Sequence, residues 1–462
     1  MSRNGTVKQK NIDMTQGNPT RLLVLFAIPM WIGGIFQLLY NMVDTWVVGR
    51  YVSLDALAAI GASASTTFFL MMMGQGVTNA VSVLISQAEG AHQEGVIKKA
   101  VAHAFYLTAA AGTILGLVSL FGARLLMQLL QAPPEIIDQS VLYIQIVGGL
   151  CIGQTAYNCV TSILRAIGDS KTPLYFLIFS SLLNVVLDLA FVLGLNAGVA
   201  GVAWATVISQ TLSALLSGIY MLKKYPKLCP DREAWKFDMA IIKEYLRLGL
   251  PMCVQSAVLC VGDMIITAVI NSHGADIVAA YTIGSKVQQL ATVSFSNLAF
   301  SFSVYSGQNF GAKLYDRIKE GLKKGLQLIC GLAIISTVIM LIFAPYLARF
   351  FMEEENSYVL NAAVSLIRIQ AVLFMALGSI WAVNSTLRGV GQVKITLVSS
   401  IVELASKIGL SVLLPLFMGY IGIWLAAPIG WVLGLVPSAI YLLHWFKNPE
   451  KTAKEQPESS LE

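Results

Sequence analysis

The chain has 462 residues, of which 56% are hydrophobic and 12% charged, with a mean hydropathy of +0.70. Soluble domains carry about a quarter charged residues, so this composition excludes an ordinary soluble domain and marks a membrane protein. The formal net charge of +6 is explained below by its placement without a nucleic-acid partner, and six scattered cysteines with no CxxC spacing argue against a metal centre.

A polar amino-terminal stretch, too long before the first apolar run for a signal peptide, is followed by twelve apolar segments of spanning length. They lie at 22–46, 56–85, 100–121, 137–162, 173–193, 198–221, 248–270, 278–306, 325–345, 359–386, 395–416 and 419–444. A segment in hydrocarbon must satisfy its own backbone, and these runs lack the alternation of barrel strands, so helices are predicted. The long second, eighth, tenth and twelfth imply tilt or protrusion from the bilayer.

In the first span Pro29 frees a backbone carbonyl and is expected to bend the helix. Gln37, Tyr40 and Asp44 follow on one face. Asp44 lies roughly 22 Å beyond Pro29 at 1.5 Å per residue. Position alone therefore leaves three readings of Asp44: an interfacial cap, a buried structural acid or a working group. Met71, in the run Met71-Met72-Met73 beside Phe68 and Phe69, suits an adaptable cavity wall and equally a packing or lipid-facing surface. Tyr143 and Asn158 of the fourth span either line a polar cavity or make interhelical contacts.

The fifth span places Asn184 and Asp188 one turn apart, and Thr206 of the sixth adds a hydroxyl. A carboxylate at mid-bilayer costs roughly 2.5 to 3.5 kcal/mol, so it must face protein or water. In the second half, Pro251 and Asp263 fall in the seventh span and Lys286 in the eighth, where it is expected to pair with an acid of the same half. Glu403 and Lys407 of the eleventh span read as an intrahelical ion pair.

The two halves repeat. Pro29 matches Pro251, Gly61 matches Gly284, Gln87-x-x-Gly90-Ala91 recurs as Gln308-x-x-Gly311-Ala312, "LRAIGDSK" at 164–171 recurs as "LRGVGQVK" at 387–394, and Gly198-x-x-Gly201 recurs as Gly419-x-x-Gly422. One offset of 220 to 223 residues carries all of these. Ile266 and Ser411 stand opposite Asp44 and Asp188, so the acids are not part of the repeated scaffold. Of the 31 basic residues, 25 fall on one side of the predicted spans, and the positive-inside rule puts both termini in the cytoplasm.

Six spans per repeat is an even number, so the halves face the same way. The expected fold is an all-α polytopic membrane protein, with twelve transmembrane helices in two parallel-oriented six-helix bundles around a central cleft. The expected divisions are an amino-terminal lobe at 1–221, a polar linker at 222–247, a carboxyl-terminal lobe at 248–445 and a tail at 446–462. Such a pair of bundles suits alternating exposure of a central site. No GxxxxGK[ST] motif is present, which argues against ATP hydrolysis, and four dispersed histidines do not form a reaction centre.

The stretches "YNMVDTWVVGR", "LDALAAIG", "GQNFGA", "ILRAIGDSKTPLY" and "LNVVLDLAFVLGLNAGVAGVAWATVISQ" resemble the multidrug and toxic compound extrusion (MATE) family, and within it the bacterial branch related to the DNA-damage-inducible protein F group. The resemblance implies a secondary active antiporter in a prokaryotic inner membrane. It would export small organic cations or amphipathic drugs in exchange for H⁺ or Na⁺, function as a monomer, and need no other cofactor. Residue by residue, Asp44, Asn184, Asp188 and Thr206 match the family's amino-terminal-lobe cation site, which would hold either a proton or Na⁺. In relatives, a first-span bend at the position of Pro29 has been linked to protonation. Asp263 and Glu403 are not matched to the family's acidic carboxyl-terminal-lobe ligands, and with Lys286 they are the candidates for a site in the second lobe. The alternative on the same fold is a flippase for a lipid-linked or other amphipathic metabolite, which requires a strongly cationic cleft.

Overall fold

A computed structural model describes residues 11–130, 132–352 and 356–450. The basic residues expected at positions 3, 8 and 10, and the end of the carboxyl-terminal tail, lie outside the described residues. The first half contains α1 (Pro19–Tyr51), α2 (Leu54–Gly90), α3 (Glu94–Leu129), α4 (Pro134–Val147), α5 (Ile152–Ala166), α6 (Lys171–Leu189) and α7 (Gly198–Lys224). The second contains α8 (Met239–Asn271), α9 (Ala275–Gly311), α10 (Tyr315–Phe350), α11 (Ser357–Val372), α12 (Phe374–Gly389), α13 (Val393–Leu413), α14 (Pro415–Met418) and α15 (Tyr420–Trp445).

Among the described residues nine helices are long and apolar enough to cross a bilayer, and the bent pairs α4/α5 and α11/α12 raise this to eleven spans. The twelfth is α9, which is too polar to qualify by composition. It has 37 residues, about 55 Å at 1.5 Å per residue, and repeats α2: Leu54 to Ala275 and Gly90 to Gly311 are both 221 residues apart. It packs against α1, α2, α10, α11 and α12, and polar side chains such as Ser285, Gln288 and Thr292 line a cavity.

The prolines do not interrupt their helices: α1 runs through Pro29 and α8 through Pro251. The sharp bends are 46° between α4 and α5 and 51° between α11 and α12. The first break contains Gly148 and Gly149. At the second, the Ala371 carbonyl accepts from the Thr337 hydroxyl at 2.6 Å, so α10 satisfies a group the broken ladder exposes.

The helices form two like-built bundles that exchange neighbours. α1 packs on α6 of its own half and on α9 and α10 of the other; α8 packs on α13 of its own half and on α2 and α3 of the other. Backbone geometry repeats as well. His92 (φ 55°) and Lys313 (φ 58°), Gly168 (φ 85°) and Gly391 (φ 80°), and Gly198 (φ 56°) and Gly419 (φ 58°) are left-handed at matching places. At the first two pairs the helix ends in a Schellman turn, with Gln93 N–H donating to Ala88 O, Leu314 to Asn309, Asp169 to Leu164 and Gln392 to Leu387, all at 2.8–3.0 Å.

On the face that carries the basic loops the two bundles are latched. Gln87 Nε2 donates to the Gly389 carbonyl and Gln308 Nε2 to the Ala166 carbonyl, both at 2.8 Å. These acceptors are the last residues of α12 and α5, where carbonyls lack a donor within the helix. α2 and α9 approach so closely that a Cβ on Gly90 would lie 1.8 Å from Gln308 O, and one on Gly311 1.9 Å from Gln87 O. Only glycine fits at either place.

The segment before α1 crosses this seam. Met14, fully buried, donates its N–H to Gln308 Oε1 at 3.0 Å and accepts from Asn309 Nδ2 at 2.9 Å, while Ile12 N–H donates to the Gly168 carbonyl of the other bundle at 3.2 Å.

Candidate functional site

α6 buries the face that carries Asn184 and Asp188; Asp188 is 0% exposed and Asn184 2%. α1 lies along α6 and brings Asp44 to the same region, close enough for the two carboxyl groups to feel each other's charge. Tyr40, one turn before Asp44, and Tyr143 of α4 lie close to both acids. Asp44 Oδ1, both oxygens of Asp188 and both amide atoms of Asn184 are sealed from solvent and have no hydrogen-bond partner in the protein. Two facing carboxylates without a cation or donor cannot both be ionised at low cost in so dry a place. The geometry calls for a shared proton or a bound cation.

Thr206 sits beside this group. Its hydroxyl donates to the Val202 carbonyl at 3.1 Å, which leaves the oxygen lone pairs free, and it lines a closely packed crevice with Tyr40, Ser180, Asn184 and Gln210. The other residues singled out in this half are placed elsewhere. Gln37 is on the exposed side of α1, and Met71 and Asn158 meet with Thr155 around a separate cavity of ≈10 Å³, about the room of one water. Among the described residues no group of three or more His, Cys, Asp or Glu side chains converges. Two carboxylates with neutral oxygens suit a hard monovalent ion or a proton, and lack the soft ligands of a transition metal.

The second half corrects two expectations. Lys407 does not pair with Glu403 along its helix: its Nζ reaches across to α8 and bonds Asp263 Oδ1 at 3.0 Å. Lys286 joins neither acid but lies 5.9 Å over the ring of Phe351, because its position on α9 puts it at a neighbouring cavity that neither acid lines. Asp263, Glu403 and Lys407 instead line a cavity of ≈470 Å³. A neighbouring cavity of ≈570 Å³ is lined by Lys286 and by α9 side chains such as Gln288 and Thr292, and shares several walls with the first.

Arg388, Gln255, Trp381 and Trp431, which the sequence did not single out, also face the ≈470 Å³ cavity. One signal pointed there: Arg388 in "LRGVGQVK" repeats Arg165 in "LRAIGDSK". Counted as loop residues, both are in fact interior. Arg165 lies 5.4 Å over the Phe300 ring, and Arg388 Nη2 donates to Gln255 Oε1 at 3.0 Å.

Two like-oriented helical bundles, an acid pair buried in one of them and an organic-sized cavity in the other define a membrane transporter. Residues 29–190 and 251–413 both match the MatE family model, and the chain belongs to that family, which transports solutes and is not a family of enzymes. Of its relatives, "Probable multidrug resistance protein YpnP" of Bacillus subtilis is 28% identical, covering 85% of this chain and 88% of that protein. "Probable multidrug resistance protein YoeA" of the same organism is 26% identical over 90% and 92%. DNA damage-inducible protein F of Escherichia coli is 24% identical over 91% of each, so the comparisons give the family and no single branch. In fold, a transporter of the MOP superfamily from Pyrococcus furiosus superposes with a TM-score of 0.89 at 21% identity, over 96% of this chain and 99% of that one.

Proposed function

We propose that the protein is a secondary active antiporter of the prokaryotic inner membrane, exporting cationic or amphipathic organic compounds in exchange for H⁺ or Na⁺. The observation that carries this reading is the Asp44/Asp188 pair, in which Asp44 Oδ1 and both oxygens of buried Asp188 are sealed from solvent without a donor. Family membership, and the multidrug-resistance names of the relatives, support the solute class.

The cycle follows from the chemistry of that pair. From outside, a proton or Na⁺ reaches Asp44 and Asp188, with Asn184 and Thr206 supplying neutral oxygens to a metal ion. Compensating the pair favours the bundle arrangement that releases solute outward. Return to the cytoplasm-facing arrangement releases the ion. Lobes at 1–221 and 248–445 rock against each other across the linker 222–247, with both termini cytoplasmic and the monomer as the working unit. Residues Gln37, Tyr40, Tyr143, Met71 and Asn158 are secondary candidates for solute contact, and Pro29 and Pro251 for helix flexing.

Reconstituted protein would be given a pH gradient alone, then a Na⁺ gradient alone. One of the two is expected to drive export of a cationic dye, and Asp188→Asn is expected to abolish driven export while leaving the fold intact. Driven export at the wild-type rate in Asp188→Asn would remove the coupling role of the pair.

A further inference from the structure

The linker 222–247 is polar in sequence, yet the structure fastens its middle to α3. Lys98 Nζ lies 3.5 Å from Asp231 Oδ2, and Lys99 Nζ 3.3 Å from Asp238 Oδ2. The Tyr106 hydroxyl donates to the Trp235 carbonyl at 3.0 Å, and the Asp238 N–H donates to Nε2 of buried His103 at 2.8 Å. With that nitrogen accepting, the His103 Nδ1–H is left to donate to the Lys99 carbonyl, also at 2.8 Å. Asp238 caps α8 as well, accepting from the Ala240 N–H at 3.0 Å, so the fastened segment leads without slack into the next span. At the 221-residue offset from Glu94 to Tyr315, α10 carries Lys324, Leu326 and Gln327 where α3 has His103, Phe105 and Tyr106. The dock is therefore specific to the linker and is no part of the repeated scaffold.

This dock turns large apolar side chains outward. Phe237 is 67% exposed, Met239 53% and Trp235 41%. The Trp235 ring stacks on Phe105 at 6.3 Å and meets Tyr106 edge-on at 5.5 Å. Phe237 lies 6.2 Å from the His103 ring, itself 5.7 Å from that of Tyr106, so the rings form one patch. α3 gives the height of the patch. Its outer surface exposes Tyr106, Ile114, Leu117 and Phe121, and no charged residue falls between Tyr106 and Arg124, which forms an exposed ion pair with Asp138. From Tyr106 to Arg124 the helix rises about 27 Å at 1.5 Å per residue, close to the roughly 30 Å of a hydrocarbon core. The two ends of that stretch mark the borders of the hydrocarbon, and the Trp235 patch lies at the border on the basic face. Met239, Lys243, Leu246 and Leu250 continue it as one exposed stripe along α8.

We propose that the linker is a membrane-interface anchor. Trp235, Phe237 and Met239 enter the boundary between headgroups and acyl chains in the leaflet of the basic face, and Lys236 and Lys243 meet anionic headgroups there. Tryptophan joins a large apolar ring to an N–H, a combination that favours this layer over both water and hydrocarbon. Lys236 stands between Trp235 and Phe237 in the chain, and its contact with Glu233 at 2.6 Å joins two exposed side chains, an ion pair weak enough for phosphate to compete with. In water the same patch would leave three large apolar side chains uncovered on a rigid support. The anchor is independent of the export reading: it fixes the connection between the bundles at the membrane surface, whatever crosses between them.

The test uses full-length protein with Cys229 and Cys330 replaced by alanine, spin-labelled at Phe237→Cys or, as a water reference, at Lys319→Cys on the exposed side of α10. Vesicles contain phosphatidylethanolamine with phosphatidylglycerol, or with phosphatidylcholine in its place. Power saturation reads collisions of the label with oxygen, which concentrates in lipid, and with a nickel chelate, which stays in water. Position 237 is expected to show about fivefold lower chelate access than position 319, with higher oxygen access. Exchange of phosphatidylglycerol for phosphatidylcholine is expected to raise chelate access at 237, and Lys236→Gln with Lys243→Gln to abolish that dependence on lipid charge. Met239→Cys takes the place of Phe237→Cys where the latter does not yield monodisperse protein. Chelate access at 237 equal to that at 319 would place the patch in water, and low access of both chelate and oxygen would place it against protein. Either result overturns the proposal, as does protection at 237 that ignores lipid charge.

Discussion

Asp169, between α5 and α6, is an acid whose role the spacing of "GDSKT" half reveals. It is 6% exposed, and it accepts from the Tyr225 hydroxyl at 2.5 Å, the Thr172 hydroxyl at 2.6 Å and the Thr172 N–H at 3.0 Å, with Lys224 Nζ at 3.4 Å. Burial alone would raise its titration, but these hydrogen bonds and the ammonium outweigh it and hold the carboxyl below the ordinary carboxylate range. The folded value is depressed, so its contribution is fully present above the unfolded value of about 3.9 and is lost as pH falls through the lower folded one. Asp169→Asn is therefore expected to cost about 1–3 kcal/mol at pH 7, with a thermal-midpoint gap to wild type that is constant above about pH 5 and closes below about pH 4. A gap that persists unchanged at pH 3 would show that the charge is not what stabilises this corner. The contrast with Asp188 is instructive: one acid is buried with every oxygen answered, the other with none. That difference is what the proposed coupling role of Asp188 rests on. From the sequence, Asp188 was legible because an acid in the middle of an apolar run has few reasons to be there. Arg388 was not, because an arginine followed by glycine reads as a loop cation until packing shows it turned inward.

At the scale of the element, the prediction concerns the ends of α2 and α9. The motif Gln-x-x-Gly-Ala was visible as a repeat, yet repetition alone does not say what a glutamine touches. Each one crosses to the other bundle and caps the end of a helix there, and each glycine permits the approach. Gln87→Ala removes one interbundle hydrogen bond, about 1 kcal/mol, and is expected to raise the open-to-closed ratio of this face about fivefold, while Gln308→Ala also removes the bond from the Met14 N–H and is expected to raise it further. The readout is the maleimide labelling rate of Ser306→Cys, at a site that is 1% exposed when the face is closed, with Cys229 replaced. Gly311→Ala, whose Cβ would meet the Gln87 carbonyl at 1.9 Å, is expected to exceed either glutamine variant. Unchanged labelling in all three would mean that the seam is held by other contacts. The bends follow the same logic: proline drew attention to α1 and α8, but 46° and 51° breaks occur at α4/α5 and α11/α12, and at the second a neighbouring helix satisfies a freed carbonyl.

Across the whole molecule, the segment before α1 ties the bundles together over the basic face. Met14 is buried against α9, Arg317 Nη2 of α10 donates to the Gly17 carbonyl at 3.1 Å, and the Asn11 side-chain amide meets the oxygen of the Tyr225 hydroxyl of the first half, whose proton goes to Asp169, at 2.9 Å. Met14→Ser or deletion of the first 17 residues is expected to increase Ser306→Cys labelling in the same direction as loss of the glutamine latches, with helical content by circular dichroism retained. Protection as in wild type would assign the segment a passive role.

Membrane class, helix count, halves of one orientation and the location of two membrane acids were determined by the sequence itself. These properties are one-dimensional: hydropathy over about twenty residues, charge per loop, a constant repeat offset, and an acid where hydrocarbon forbids one. Tertiary structure alone decided the pairings. Lys407 chose Asp263 over the glutamate one turn away, Arg388 turned into a cavity, and α9 proved to be a span despite its polarity. In each case the partner lies on another helix, more than a hundred residues distant along the chain or sealed behind a neighbouring bundle. The interaction energy depends on distance in space, and no local pattern records it.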